Sequence, residues 1–371
     1  VAAGGRAVTV AVRWTSDADE IAALEDRWRD LAAGSREATP LGGPDYLLPW
    51  YRQYAGRAGR PLLGTAWQEG TLVALAPLVV RRARVGGVPV TCVQFAAAGA
   101  EAGEFLLADG RPELTGTLLE SLAAQVPFDV ARFNLLDPAA AEFAALARAA
   151  AQAGLALETL PTAYATVDLR EGYDAYHARL SGKFRANLRR RARAAQAEGA
   201  LRVEGVHLEP DVPAVERAVG RMLAVSDASW KARRGGPMAE HHRGFYREIA
   251  RRFGARGRLD LAILKLGGAD RAYMMGVVDR DVYYDVTLSF DDAVRALAPG
   301  VLLTQEVLRR LAARGIRTVV SHGVHEYKRH FATAIVPRRR AFVFARRPRA
   351  ALSRALRFSL GPVWTRLGLL P

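Results

Sequence analysis

The chain has 371 residues, half of them hydrophobic and 25% charged, with a formal net charge of +15. That length fits about two domains with sizeable cores, and the composition excludes a disordered chain. No apolar run approaches the ~20 residues that a membrane-spanning helix needs, and a single cysteine, Cys92, excludes an internal disulfide and any cysteine-based zinc site.

In chain order, residues 8–13 alternate as a strand. Ser16 offers an N-cap to a helix over 17–33, where Ile21, Leu24, Trp28 and Leu31 recur at helical spacing. A second helix covers 44–55. Strands over 62–67 and 71–80 flank Gln68-Glu69-Gly70, a hairpin signal, and 88–95 is a further strand. Then come a helix over 112–125, a strand over 130–135 and an alanine-rich helix over 138–153 that ends at Gly154. Strands over 155–160 and 164–169 close the first half. Residues 173–198 read as one long connecting helix. The pattern restarts with a strand over 201–208, helices over 213–226 and 240–253, and strands over 259–266 and 272–279 joined by Gly267-Gly268. A strand over 282–288, a helix over 299–314 opened by proline, a strand over 316–320, a short helix over 325–331 and a strand over 335–344 complete it.

Both halves thus give strand, two helices, three antiparallel strands, helix, strand, helix, strand. A meander followed by crossover helices is a mixed α+β arrangement, here duplicated. The order divides the chain into a domain over 1–170, a basic linking helix over 171–199, a second domain over 200–345 and a basic tail over 346–371.

The charge is not spread evenly. Only four of the 53 basic residues are lysine: Lys183, Lys231, Lys265 and Lys328. Residues 183–193 hold six cations and no acid, and residues 327–371 hold eleven cations and no acid. These two segments exceed the whole net charge, so any anionic partner is expected there. The segment 1–12 lacks the long apolar core of a secretory signal, and the lone cysteine suits a reducing cytoplasm.

Several stretches carry a family resemblance. They are Trp28-Arg29-Asp30-Leu31, Leu72-Val73-Ala74-Leu75-Ala76-Pro77-Leu78 and Leu180-Ser181-Gly182-Lys183-Phe184-Arg185-Ala186-Asn187-Leu188-Arg189-Arg190. In the second half they are Ser229-Trp230-Lys231, Ala298-Pro299-Gly300-Val301-Leu302-Leu303, and Tyr327-Lys328 before Phe331. In order and spacing the chain resembles tandem GNAT proteins of the CelD/BioF2-like acetyltransferase group, themselves similar to FemABX aminoacyl transferases. The resemblance implies two tandem GNAT-like domains, acyl transfer, and acyl-CoA (acetyl-CoA) as co-substrate without a metal. It also places the donor between the fourth and fifth strands, with its phosphates at the start of the next helix.

In the second half that helix starts at Pro299, so Pro299, Gly300, Val301 and Leu302 are the expected donor contacts. The usual phosphate loop, Gln/Arg-x-x-Gly-x-Gly/Ala, is absent. In Fem-type relatives the lysine of an aromatic-Lys pair is held to stabilise the developing oxyanion, which implies that role for Lys328. Tyr327 is expected instead to protonate a leaving thiolate or hydroxyl. Asp285 lies in a mostly apolar strand, where a carboxylate faces a cleft or is paired, and is a candidate amine binder or base. His322 and His325 bracket Gly323 in a loop suited to a general base. The chain lacks the acid that many family members carry near Ser321 or His322. Ser229, Trp230 and Lys231 are expected to line the acceptor cleft, with Lys183 and Arg185 contributing from the basic helix. His241 and His242 are adjacent, so on a helix they point about 100° apart and do not share a metal. The first half lacks a comparable polar cluster and reads as a degenerate copy.

Three functional readings follow. The first is acyl transfer from acyl-CoA to an amine or hydroxyl of a small molecule or a glycan or lipid precursor. The second keeps the fold and takes the donor from aminoacyl-tRNA, with phosphate contacts made by the basic segments. The third is a non-catalytic accessory protein on an anionic membrane surface. Its motive is the tail, where Leu352, Leu356, Leu360, Val363 and Leu367 recur among Arg349, Arg354, Arg357 and Arg366, with a kink at Gly361-Pro362.

Overall fold

The computed structural model describes residues 9–96, 103–229, 232, 239–324 and 326–360. Trp230, Lys231 and His325 lie outside the described residues, as does the tail beyond 360. The chain forms two compact units, Val1–Thr162 with Pro337–Pro371, and Ala163–Val336.

The first unit runs β1 (Ala11–Thr15), α1 (Ala18–Ala23), α2 (Glu25–Gly34), α3 (Pro44–Tyr54), β2 (Arg60–Gln68), β3 (Thr71–Val85), β4 (Val88–Phe95), β5 (Leu106–Leu107), α4 (Glu113–Gln125), β6 (Val130–Leu136), α5 (Ala141–Gln152) and the start of β7 (Ala156–Asp168). The helix expected over 17–33 is two helices. Asp17, not Ser16, caps the first, its carboxylate accepting from the Asp19 and Glu20 amides. β1 to β4 are antiparallel neighbours, and β6 joins β4 in parallel. β3 outruns its expected length because Gly86 and Gly87, both at positive φ, make the hairpin turn only after Val85. Leu114, Leu118 and Leu122 of α4 and Leu146 of α5 pack on Val93, Ala131 and Phe133.

The second unit continues with α6 (Gly172–Arg179), α7 (Gly182–Ala197), β8 (Leu201–His207), α8 (Val212–Asp227), α9 (Glu240–Gly254), β9 (Leu259–Leu266), β10 (Ala269–Asp279), β11 (Val282–Phe290), a 3₁₀ turn (Asp292–Leu297), α10 (Pro299–Ala313), β12 (Thr318–His322) and α11 (Glu326–Phe331). The connecting helix expected over 173–198 is broken. Leu180 is extended, and the Ser181 hydroxyl accepts from the Phe184 amide, so α7 starts anew with its own N-cap. β8 to β11 form an antiparallel meander, and β12 joins β11 in parallel. Leu303, Val307 and Leu311 of α10 pack with Met274, Tyr283 and Val319 of the sheet and Phe184 and Leu188 of α7.

Each unit therefore repeats the same order of strands and helices. Each also ends on an antiparallel strand beside the parallel one. Residues 164–168 of β7 pair with β12 in the second unit, whereas residues 339–344 of β13 (Ala334–Phe344) pair with β6 in the first. The tail continues as α12 (Pro348–Arg354) and a π turn (Ala355–Leu360). Ala350 of α12 packs on Val90, Cys92, Phe342 and Phe344, and the Ser353 hydroxyl donates to Val85 O at 2.9 Å. Among the described residues, no helix is long and apolar enough to cross a membrane.

Candidate active site

In the second unit, β11 and β12 pair in register from Val282 opposite Thr318 to Asp285 opposite Ser321, and no further. Directly beyond Asp285 the β10–β11 register slips. Gly276 faces Asp285 while Met275 faces Thr287, which leaves Val286 as a bulge residue. β11 runs on to Phe290 without β12 beside it. Gly276 is required at the bulge. A Cβ on it would lie 2.1 Å from Tyr283 Cζ, so only glycine lets this fully buried tyrosine cross the strand.

Asp285 and Lys328 meet at this parting. Lys328 Nζ lies 3.2 Å from Asp285 Oδ2 and donates to His322 O at 2.7 Å. Ser321 Oγ donates to the same Asp285 oxygen at 2.6 Å. The two charged side chains are only 13% and 8% exposed, so the pair is shielded from solvent. Asp285 Oδ1 is buried with no hydrogen-bond partner among the described residues. An ammonium has three N–H bonds. Two are used on Asp285 and His322 O, and one is left. The backbone explains the placement. Gly323, at φ 74°, turns the chain back after β12, and α11 is pinned at its far end by buried Phe331, whose carbonyl accepts from Tyr176 Oη at 2.8 Å.

The surrounding groups are tuned by burial. Desolvation pushes the His322 imidazole down to about 4; Asp285 opposes this shift and Lys328 adds to it. His322 is therefore neutral near pH 7. Tyr164 stands beside it, with ring centroids 6.5 Å apart. Tyr327 is 38% exposed, and the Lys328 ammonium lies 6.0 Å from its ring centroid. Burial first, then the charge of Asp285, holds the Tyr327 hydroxyl above its usual range.

The other expected residues are distributed differently. Pro299 and Gly300 are buried, and Ala298 enters α10 in the left-handed region at φ 53°. Val301 and Leu302 both donate their amides to Ala298 O, at 3.0 and 3.3 Å. Proline has no N–H, so Gly300 alone keeps a first-turn amide outside this capping. A Cβ on Gly300 would sit 3.1 Å from Leu288 Cδ2 and 3.4 Å from Phe290 Cδ1. The Leu302 side chain packs with Ala195 and Leu266 and its amide is used on Ala298 O, so it is not aimed at a donor. Ser229 is fully buried and donates to Ser226 O at 2.7 Å. Lys183 is exposed and Arg185 half-buried, with Arg185 Nε lacking a hydrogen-bond partner among the described residues. They flank Phe184, which stacks on His330 and meets Phe331 edge-on at centroid distances of 5.2 and 5.1 Å, so the start of α7 adjoins α11.

Sequence reasoning gave Ser321 no role, yet its hydroxyl orients Asp285. The only signal was its place opposite Asp285, which needs the strand register. It also missed Asp260, fully buried on β9. Asp260 accepts from Arg310 of α10 at 2.8 Å and lies 3.2 Å from His207 Nδ1, fixing α10 to the sheet. Among the described residues no three His, Cys, Asp or Glu side chains converge as a metal site requires.

Comparison with known proteins gives the class. Residues 182–329 match the family described as Acetyltransferase (GNAT) domain. No curated protein matches the sequence. FemX is similar in structure, with a TM-score of 0.56 at 9% identity over 85% of this chain and 95% of that one. The C-terminal domain (DUF2156) of a putative lysylphosphatidylglycerol synthetase from Agrobacterium fabrum is similar at a TM-score of 0.54 and 16% identity, over 91% and 97%. A tandem GNAT protein from the clavulanic acid biosynthesis pathway also matches, at a TM-score of 0.45 and 17% identity, over 91% and 98%. At such identities the likeness is one of fold. The chain has the GNAT fold, and the match of residues 182–329 to the acetyltransferase (GNAT) domain supports an acyltransferase.

Proposed function

We propose that the second unit moves an acyl group from acyl-CoA to an amine or hydroxyl at the parting of β11 and β12. The observation that carries this reading is the shielded Lys328–Asp285 pair with one free ammonium N–H and one unpartnered carboxylate oxygen. The acceptor nitrogen or oxygen attacks the acyl carbonyl, and the spare N–H of Lys328 stabilises the oxyanion. Asp285 Oδ1 accepts the acceptor's proton. As the tetrahedral species collapses, the C–S bond breaks and Tyr327 protonates the thiolate. The sequence motifs resemble those of the CelD/BioF2-like group, and the acceptor is a small molecule or a glycan or lipid precursor. The lone Cys92, buried and unpaired, fits a cytoplasmic setting. In the first unit the corresponding parting is filled by Phe95, Phe105 and Phe133, with centroids 5.0 to 5.2 Å apart, which supports a non-catalytic copy. Titration calorimetry with acetyl-CoA and longer acyl-CoAs tests the donor. Saturable binding is expected, and no heat with any thioester ends the CoA reading.

A second reading keeps this chemistry and takes the donor from aminoacyl-tRNA. Two features favour it. The start of α10 offers a thin cradle for a pyrophosphate, and all six cations over 183–193 lack an ion pair among the described residues. Binding of charged tRNA that weakens steeply with salt, without thioester binding, selects it.

A further inference from the structure

The first unit carries a second concentration of positive charge, far in sequence from Lys328. β3, β4, β6 and β13 are successive strands of its sheet. Arg81 on β3 faces Cys92 on β4, Gln94 two residues along faces Arg132 on β6, and Arg132 faces Phe342 on β13. Register partners share a face, so Arg81, Gln94, Arg132 and Asn134 stand on one side of the sheet. Arg340 joins them, its Nε donating to Asn134 Oδ1 at 2.6 Å. With strands about 4.8 Å apart, Arg132 is one strand from Arg340 and two from Arg81. Arg340 and Arg81 flank Arg132 from opposite sides, each near enough to act on its charge.

None of the three is ion-paired among the described residues. Arg132 donates to the Gln94 amide oxygen, Arg340 to that of Asn134, and Arg81 only weakly to Arg82 O at 3.5 Å. Amide oxygens orient a guanidinium but do not neutralise it. Arg132 Nε is also buried without a partner. Several other half-buried arginines are matched to carboxylates. Arg221 is held by Asp270 and Glu204, Arg243 by Asp227, and Arg310 by Asp260. Burial, with the charges of Arg340 and Arg81, pushes the Arg132 guanidinium below its usual range. Arginine nevertheless stays protonated, so the charge persists and needs an answer.

We infer that this sheet face is an anion site for a phosphate group, held by Arg81, Arg132 and Arg340 and oriented through Gln94 and Asn134. Three planar cations present the forked donors that suit the several oxygens of a phosphate. The apolar remainder of the same face is already covered, because Cys92, Val130, Phe342 and Phe344 lie under Ala350 of α12. The phosphate comes either from a soluble compound or from a lipid headgroup, the latter reached beside the exposed Leu352 of α12.

The test uses the whole chain in phosphate-free chloride buffer, with Arg132→Gln and Arg340→Gln singly and together. One arm titrates pyrophosphate by calorimetry. The other floats the protein with vesicles of phosphatidylglycerol in phosphatidylcholine, against phosphatidylcholine alone. Pyrophosphate binding identifies a soluble source, and vesicle binding without it a lipid one. In either case each substitution weakens binding about tenfold or more. Removing one of three repelling charges also leaves the unliganded variants at least as heat-stable as the parent. Arg340→Gln, on a half-buried side chain, keeps the test open if Arg132→Gln fails to fold. The inference is overturned if neither arm shows binding, or if the variants bind as the parent does. It is equally overturned if Arg340→Gln lowers the melting temperature and pyrophosphate restores nothing to the parent.

Discussion

Replacing Lys328 with methionine separates its two roles. The substitution keeps the length of the stem and removes the cation, so among the described residues Asp285, 8% exposed, loses its one ion pair and keeps the Ser321 hydroxyl. Stranding a buried charge in this way costs about 3 kcal/mol. For a unit of this size that lowers the melting temperature by roughly 10 °C. The same substitution removes the N–H aimed at the oxyanion, for which a loss of about 100- to 1,000-fold in turnover is expected. Adding Asp285→Asn to Lys328→Met removes both charges, so scanning calorimetry should show most of the stability restored. A thiol-release assay on the same sample should show turnover still lost. If the double variant recovers activity along with its melting temperature, or if Lys328→Met turns over at the parent rate, the lysine is a structural ion-pair partner and the oxyanion assignment is wrong.

Three further outcomes follow from the packing and the titrating groups. Gly276→Ala places a methyl 2.1 Å from Tyr283 Cζ and should cost at least about 3 kcal/mol, read as a shift in the urea midpoint; Tyr283→Leu in the same chain should recover part of it. His322 is held down to about 4 when folded and returns to about 6.5 when unfolded. The unfolded state thus binds more protons between these values, and stability is full above pH 6.5 and falls as pH drops towards 4, by about 2–3 kcal/mol. His322→Asn should flatten that acid limb, and an unchanged limb would assign it to other groups. Glu104 in the first unit has the opposite sign. Burial, against the hydrogen bonds from Thr39, lifts its carboxyl to about 7. Its contribution is full near pH 4.5 and is lost as pH rises through 7, so Glu104→Gln should raise the melting temperature at pH 8 and leave it nearly unchanged at pH 5.

Much of the fold was legible because its elements announce themselves locally. Apolar spacing gave most of the helices and strands, and the repeated order of elements gave the duplicated architecture. What failed was also local in cause. Ser181 was read as the interior of a helix, but its hydroxyl caps a new one. Asp17 outcompetes Ser16 because its carboxylate reaches two amides. Two residues of β5 are too short to show a period. The strands β7 and β13 illustrate a different limit. Their alternation marks them as strands, but nothing in it says which sheet a strand will join, and residues 339–344 join the sheet of the first unit. At the site, the scarcity of lysine and the carboxylate in an apolar strand singled out Lys328 and Asp285. Ser321, and the single unpartnered oxygen of Asp285, required the register of β11 on β12.

The arginine excess is better understood by its partners than by its total. Arg221, Arg243, Arg258 and Arg310 are each matched to a carboxylate within 3.0 Å and need no outside anion. Two sets of cations without an ion pair among the described residues differ in geometry. Those of α7 are mostly exposed along a helix whose first turn adjoins α11, which suits an extended polyanion or the phosphates of a donor reaching towards Lys328. Those at Arg81, Arg132 and Arg340 share one face of a sheet, with amide oxygens holding Arg132 and Arg340 in place, which suits one compact anion. An exposed cation on a helix loses little by lacking a partner, because water and salt screen it. Arg132 and Arg340, half-buried without a carboxylate, do not have that relief, whereas Arg81 is exposed. The sheet-face set is therefore the stronger indication of a bound ligand, although the helix carries more charge.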